Sequence, residues 1–171
     1  MTVKIAVPKA VPLDPHRAES RVSAYVYGDV LVLAATVGVS AVAIQSGKAV
    51  IVVLGTMFST YLAHVLADVA GAVFGGDPLW AAIAAELRDS VPVISAGLPA
   101  VVLFGAAGLG WPSPVVAQSI AAAFLILRVA AIGLIYRRFH ATISVRRAIG
   151  FGLLAAVVAT LVAVLKLTLT H

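Results

Sequence analysis

Residues 49–74 read AVIVVLGTMFSTYLAHVLADVAGAVF, an apolar run with a single carboxylate, Asp68, and a single histidine, His64. About 20 mostly apolar residues suffice for a helix to cross the hydrocarbon core of a bilayer. The run does not alternate apolar with polar positions, as a barrel strand of about ten residues would. With no water in that core, the backbone groups of such a segment must bond within the segment, so it predicts a spanning helix.

The rest of the chain repeats the pattern. Of its 171 residues 62% are hydrophobic and 11% charged, against roughly a quarter charged in soluble domains. Upstream, residues 25–44 (YVYGDVLVLAATVGVSAVAI) open on aromatics suited to the interface and end at the turn Gln45-Ser46-Gly47-Lys48. Downstream, Gly75-Gly76-Asp77-Pro78 stops one helix and starts another. Residues 79–89 (LWAAIAAELRD) then place Leu79, Ile83 and Leu87 on one face and Glu86, Arg88 and Asp89 elsewhere, which predicts a short amphipathic helix at the interface. Further spans follow at about 91–109, with Pro99 inside and a kink expected there, at about 115–136, and at about 148–169. In the last of these, Gly152, Ala156 and Thr160 have the small-xxx-small spacing that lets helices approach closely. The fold class is therefore all-α: a polytopic membrane protein with five spanning helices at about 25–44, 49–74, 91–109, 115–136 and 148–169. A single transmembrane domain occupies residues 25–171 behind a cytoplasmic tail, residues 1–24.

That tail carries Lys4, Lys9, Arg17 and Arg21 with Pro8, Pro12 and Pro15, and lacks the apolar core of a cleaved signal. Arg88 and the segment Arg137, Arg138, Arg146 and Arg147 lie on the same side of the five spans, whereas only Lys48 and Lys166 lie on the other. The positive-inside rule then gives a cytoplasmic N-terminus and an outside C-terminus in the cytoplasmic membrane. The net charge of +5 reports this orientation and not nucleic acid. The basic run 137–147 could also meet anionic lipid heads or an acidic partner. Without cysteine, no disulfide or thiolate metal site is possible.

One basic residue falls within a span. An arginine near the middle of a spanning helix costs about 2.5–3.5 kcal/mol on insertion scales, so Arg128 should face protein and find a partner. At about 1.5 Å per residue, Asp29, His64, Asp68 and Arg128 all fall in the cytoplasmic half. Met57, Tyr61, His64 and Asp68 share one face of the second span, and Asp29, Thr36 and Ser40 share one face of the first. A buried polar cluster of Asp29, His64, Asp68 and Arg128 between spans one, two and four is expected. Two readings of it stand open. In one, Arg128 pairs with Asp68 or Asp29 and His64 fixes helix register. In the other, Asp29, Met57, His64 and Asp68 line a proton or divalent-cation route.

No nucleophile elbow, phosphate loop, HExxH, CxxC or paired loop carboxylates occur, so neither an enzyme nor a bound cofactor is expected. The whole-chain plan resembles the vacuolar iron and manganese transporter (VIT) family, in Gly28-Asp29, in Met57-Phe58-Ser59-Thr60-Tyr61 and in Arg147, Gly150, Gly152, Ala155 and Ala156. The resemblance implies five spans, a cytoplasmic N-terminus, an insertion after span two, and a small, dimeric divalent-cation or proton-coupled transporter. The chain departs from that family in lacking a Glu-rich metal-collecting insertion, Glu86 being the only glutamate there. The Ala/Val/Arg-rich composition is similar to that of small actinobacterial membrane proteins that accompany Mce-type lipid importers. It implies a non-enzymatic accessory subunit of a larger membrane complex, with that complex and the lipid bilayer as its partners.

Overall fold

A computed structural model describes residues 15–139 and 143–170. Lys4, Lys9, Pro8 and Pro12 of the expected tail, and His140 to Thr142 of the basic segment, lie outside the described residues. The elements are α1 (Pro15–Gly38), α2 (Ala41–Gln45), α3 (Lys48–Phe74), α4 (Leu79–Asp89), α5 (Val91–Gly108), α6 (Pro114–Ala130), α7 (Ile132–Phe139) and α8 (Val145–Thr170), with no strand among the described residues.

Four helical stretches are long and apolar enough to cross a membrane: Lys48–Phe74, Leu79–Gly108, Pro114–Arg138 and Val145–Leu169. Helix α1 is not one of them, because Arg17, Glu19, Arg21 and Asp29 interrupt its apolar sequence. Its position explains how it tolerates them. It packs against α3, α5, α6 and α8, the four apolar stretches, so most of its surface meets protein. Ala24, Asp29, Val32, Leu33, Ala34 and Thr36 are all buried there. A helix enclosed by helices can carry polar groups that a lipid-facing helix cannot.

The first expected span differs from the structure at both ends. The helix begins at Pro15, so residues 15–24, read as tail, form the first turns of α1. At the other end it stops at Gly38. Ser40 takes an extended backbone and accepts a hydrogen bond from the Ala43 N–H at 3.2 Å, which starts α2 afresh. Ser40 is thus a helix cap and does not share a face with Asp29. The carbonyls left open at the end of α1 are met by α6: Gln118 Nε2 lies 2.9 Å from the Thr36 oxygen, 3.3 Å from that of Val37 and 2.9 Å from that of Val39. A break inside a bundle stands only when such groups are satisfied. Gly47, at φ 75°, then turns the chain into α3.

Elsewhere the chain is helical over the other expected spans, but residues 79–89, expected as a separate interfacial helix, run with α5 into one apolar stretch, Leu79–Gly108. Helices α4 and α5 meet at Ser90, and α5 runs through Pro99 as one helix. Between α6 and α7 the chain bends at Ala131, where α8 crosses closely. A Cβ on Gly133 would collide with the Ala148 carbonyl, and one on Gly152 with the Ala130 carbonyl. Ala148, Ala156, Ala159 and Ala163 of α8 are buried on this side. On α5, Gly28 of α1 comes so near that a Cβ would sit 2.8 Å from Val93 Cα.

Candidate functional site

The charged side chains of the bundle fall into two groups on different sides of α1, not one. Spacing along α1 sets the division. Tyr25, Asp29, Val32 and Thr36 recur at helical intervals and face α6, whereas Arg17, Ser20, Ala24 and Tyr27 form a second row facing α3 and α4.

In the first group, Arg128 Nε donates to Asp29 Oδ1 at 2.9 Å, and its NH2 group reaches Ser95 Oγ of α5 at 3.2 Å. The guanidinium carbon lies 4.6 Å above the Tyr25 ring, and the Tyr25 hydroxyl donates to the Arg128 carbonyl at 2.7 Å. Asp29 is fully buried and Arg128 is partly buried, with 18% of its side chain exposed. Three helices are thereby tied at one point. The open choice between Asp29 and Asp68 as the partner of Arg128 falls to Asp29. Asp29 Oδ2 and, on the same face, Thr36 Oγ1 are buried with no hydrogen-bond partner.

In the second group, His64 Nε2 lies 3.4 Å from Asp68 Oδ2, one turn along α3. That contact lacks hydrogen-bond geometry, and Nε2 is buried without a partner. The His64 ring stacks on Tyr27 of α1, centroids 6.2 Å apart. Ser20 Oγ sits between two carboxylates, 2.9 Å from Asp68 Oδ2 and 3.1 Å from Glu86 Oε2. Beside it, Arg17 clasps the buried Asp89 with Nε to Oδ2 at 2.7 Å and NH2 to Oδ1 at 2.9 Å, with Arg21 at 4.0 Å. The Tyr61 hydroxyl donates to the Leu87 carbonyl at 2.8 Å. Helix α4 therefore turns Glu86 and Asp89 toward the bundle and Leu79, Trp80 and Leu87 outward. The division of Leu79 and Leu87 from Glu86 and Asp89 expected from the sequence is present, with the carboxylates on the side that meets α1.

The expected single cluster of Asp29, His64, Asp68 and Arg128 is thus two. Of the alternative route residues, Asp29 is held by Arg128, and Met57 lies against Gly97 of α5, filling the space a Cβ would take. Only His64 and Asp68 remain together, and among the described residues no three His, Asp or Glu side chains converge as metal ligands. Sequence reasoning missed Ser20, Tyr25, Glu86, Asp89 and Ser95. The i, i+3, i+7, i+10 row of Arg17, Ser20, Ala24 and Tyr27 would have exposed half of this group, had the helix been extended back to Pro15.

A further feature lies on the outside of the bundle. Gly55, Ser59, Ala63, Ala67 and Gly71 follow one another at every fourth position of α3, and all five are exposed. No atom lies within 4 Å of where a Cβ would stand on Gly55 or Gly71. Ile51, Phe58, Leu62 and Leu66 flank the row, also exposed. An i, i+4 row of small residues forms a shallow channel in which a second helix backbone can come close, crossing right-handed at about 40°. The Ser59 hydroxyl in this row donates to the Thr56 carbonyl at 3.2 Å.

Compared with protein-family models, curated proteins and solved structures, the chain matches none.

Proposed function

We propose that this chain is a non-enzymatic membrane subunit that docks through the outer face of α3 against a helix of a larger membrane complex. The carrying observation is the exposed row Gly55, Ser59, Ala63, Ala67 and Gly71. In lipid, helices gain little from hiding apolar surface, because the tails are equally apolar; close van der Waals contact at small residues drives association instead. A row of that kind left facing outward is a contact surface without its contact. The internal pairing of Arg128 with Asp29 supports the same reading, since it spends the bundle's deepest charges on holding three helices together. A lipid transporter of the Mce type is the complex that the composition suggests.

In this reading α1 is a fifth, central span, α4 rests at the cytoplasmic interface, the N-terminus is cytoplasmic and the C-terminus outside. The absence of cysteine makes this easy to examine with single introduced cysteines. A cysteine at Lys48 should react with an impermeant maleimide added outside intact cells, and one at Arg138 only after permeabilisation; the reverse would invert the topology. The docking itself is tested by purification from native membranes in mild detergent. A stoichiometric partner is expected, and recovery of only the single chain or its homodimer would contradict it.

A second reading, a small proton-coupled or divalent-cation transporter of VIT-like fold, draws on His64 and Asp68, a buried imidazole beside a partly exposed carboxylate. It predicts ion flux from the chain alone in liposomes, lost in Asp68→Asn. Liposomes that show no metal-driven or proton-driven flux would remove it.

A further inference from the structure

The Ser20 hydroxyl has one proton and two carboxylate neighbours. It lies 2.9 Å from Asp68 Oδ2 and 3.1 Å from Glu86 Oε2, both within hydrogen-bond distance. A hydroxyl can donate only once, although it can also accept. If both carboxyls were ionised, one of these two contacts would set lone pairs against lone pairs with no hydrogen between them, and the two negative charges would share one small site. Short of one hydrogen shared weakly between two acceptors, both contacts are full hydrogen bonds when one carboxyl carries a proton and donates it to Ser20 while Ser20 donates to the other. Glu86 and Asp68 are both partly exposed, and Asp68 lies beside the buried His64. The groups follow one another as Glu86, Ser20, Asp68, His64.

The inner end of this line is open. His64 is buried, with 8% of its side chain exposed, and its Nε2 points at Asp68 Oδ2 from 3.4 Å with no hydrogen-bond partner of its own. Several charged and titratable groups around the line have partners of their own. On α1, Tyr27 stacks on the His64 ring, and Arg17 with Arg21 face Asp89 of α4. On α3, Tyr61 is bonded to the Leu87 carbonyl. No arginine or lysine is in salt-bridge contact with Asp68 or Glu86 among the described residues.

We propose that Glu86, Ser20, Asp68 and His64 form a proton-loading site, in which the hydrogen-bonded run Glu86, Ser20 and Asp68 stores one proton between two carboxyls and His64, whose Nε2 lies 3.4 Å from Asp68 Oδ2, receives it inside the bundle. A proton from water binds Glu86 Oε2. With the stored proton at first on Asp68, Asp68 gives it to His64 Nε2, and the Ser20 hydrogen turns to the Asp68 carboxylate while the newly protonated Glu86 donates to Ser20 Oγ and now holds the stored proton. The net change is one proton taken from water and one imidazolium formed facing the Asp68 carboxylate. The site goes beyond the docking reading and needs no transport: a chain that moves nothing across the membrane still loads this proton.

Infrared spectroscopy of the full chain in liposomes at neutral pH tests it through the C=O stretch of a protonated carboxyl. That band should be present, should disappear in Glu86→Gln or Asp68→Asn, should shift in Ser20→Ala and should return to its place in Ser20→Thr. Asp29→Asn, on the other side of α1, should leave it unchanged. In parallel, nitrogen-15 NMR of His64 should show its pH titration moved by Glu86→Gln. No band, or a band abolished by Asp29→Asn but kept in both Glu86→Gln and Asp68→Asn, would overturn the proposal. So would a His64 titration unmoved by Glu86→Gln. Because these measurements use the isolated chain, their failure leaves the docking reading standing, and the loss of a partner in purification leaves the proton site standing.

Discussion

Helices α3 and α8 both carry small residues at helix-contact spacing, yet they turn them in opposite directions. On α8, Ala148, Gly152, Ala156, Ala159 and Ala163 face inward, and Gly152 meets the Ala130 carbonyl so closely that no side chain fits. Its outer face is bulky: Leu153, Leu154, Val157, Val158, Leu161 and Leu165 are all exposed. On α3 Val53, Met57, His64, Val65 and Val69 are buried, while Gly55, Ser59, Ala63, Ala67 and Gly71 lie outside, a row of small residues among the exposed Phe58, Leu62 and Leu66. Bulky aliphatic side chains suit lipid, and small ones suit another helix. On α8 the rule is fulfilled within this chain. On α3 it is left unfulfilled within this chain, which is the ground for the proposed docking.

The contrast predicts that inward changes unfold the isolated chain and outward ones leave it intact. The largest effect belongs to Arg128→Ala, which strands the buried Asp29 carboxylate and should cost about 3–5 kcal/mol, read as loss of folded yield or of resistance to SDS unfolding. Replacing both partners, Arg128→Met with Asp29→Leu, should recover most of that; a double variant as damaged as the single one would show that the pair does more than satisfy itself. Next comes Gly152→Leu on α8, which forces α8 away from Ala130 and should destabilise by about 1–3 kcal/mol. Gln118→Ala leaves the end of α1 with unmet carbonyls and should cost about 1–3 kcal/mol, detected as faster amide exchange around residues 36–40. Smallest is Ala63→Leu on the outer face of α3, which should change the stability of the isolated chain by no more than about 0.5 kcal/mol while weakening recovery of the partner. Equal damage from Ala63→Leu and Gly152→Leu would erase the distinction between the two helices.

The sequence made some of this legible and hid the rest for identifiable reasons. Apolar run length revealed α3, α5, α6 and α8, because a bilayer demands uninterrupted hydrophobic segments. It misjudged the ends of α1, since helix continuation to Pro15 and the break before Ser40 depend on partners in α4 and α6 that no local pattern contains. Arg128 announced that it needed a carboxylate, but depth along the membrane left Asp29 and Asp68 equivalent. Rotation about α1 separated them, and rotation is set by packing such as the Gly28 contact with Val93. The small row on α3 was visible as spacing in residues 55–71. Its meaning was not, because spacing shows that residues share a face and says nothing of whether that face looks in or out.

The most direct measurement is site-specific photocrosslinking in native membranes, with the probe placed at Ala63 on α3 or at Val158 on α8. The account predicts a discrete adduct with a second membrane protein from Ala63, and from Val158 only lipid or no adduct. Adducts of equal strength from both positions, or none from Ala63, would contradict the claim that α3 presents an unfilled helix contact.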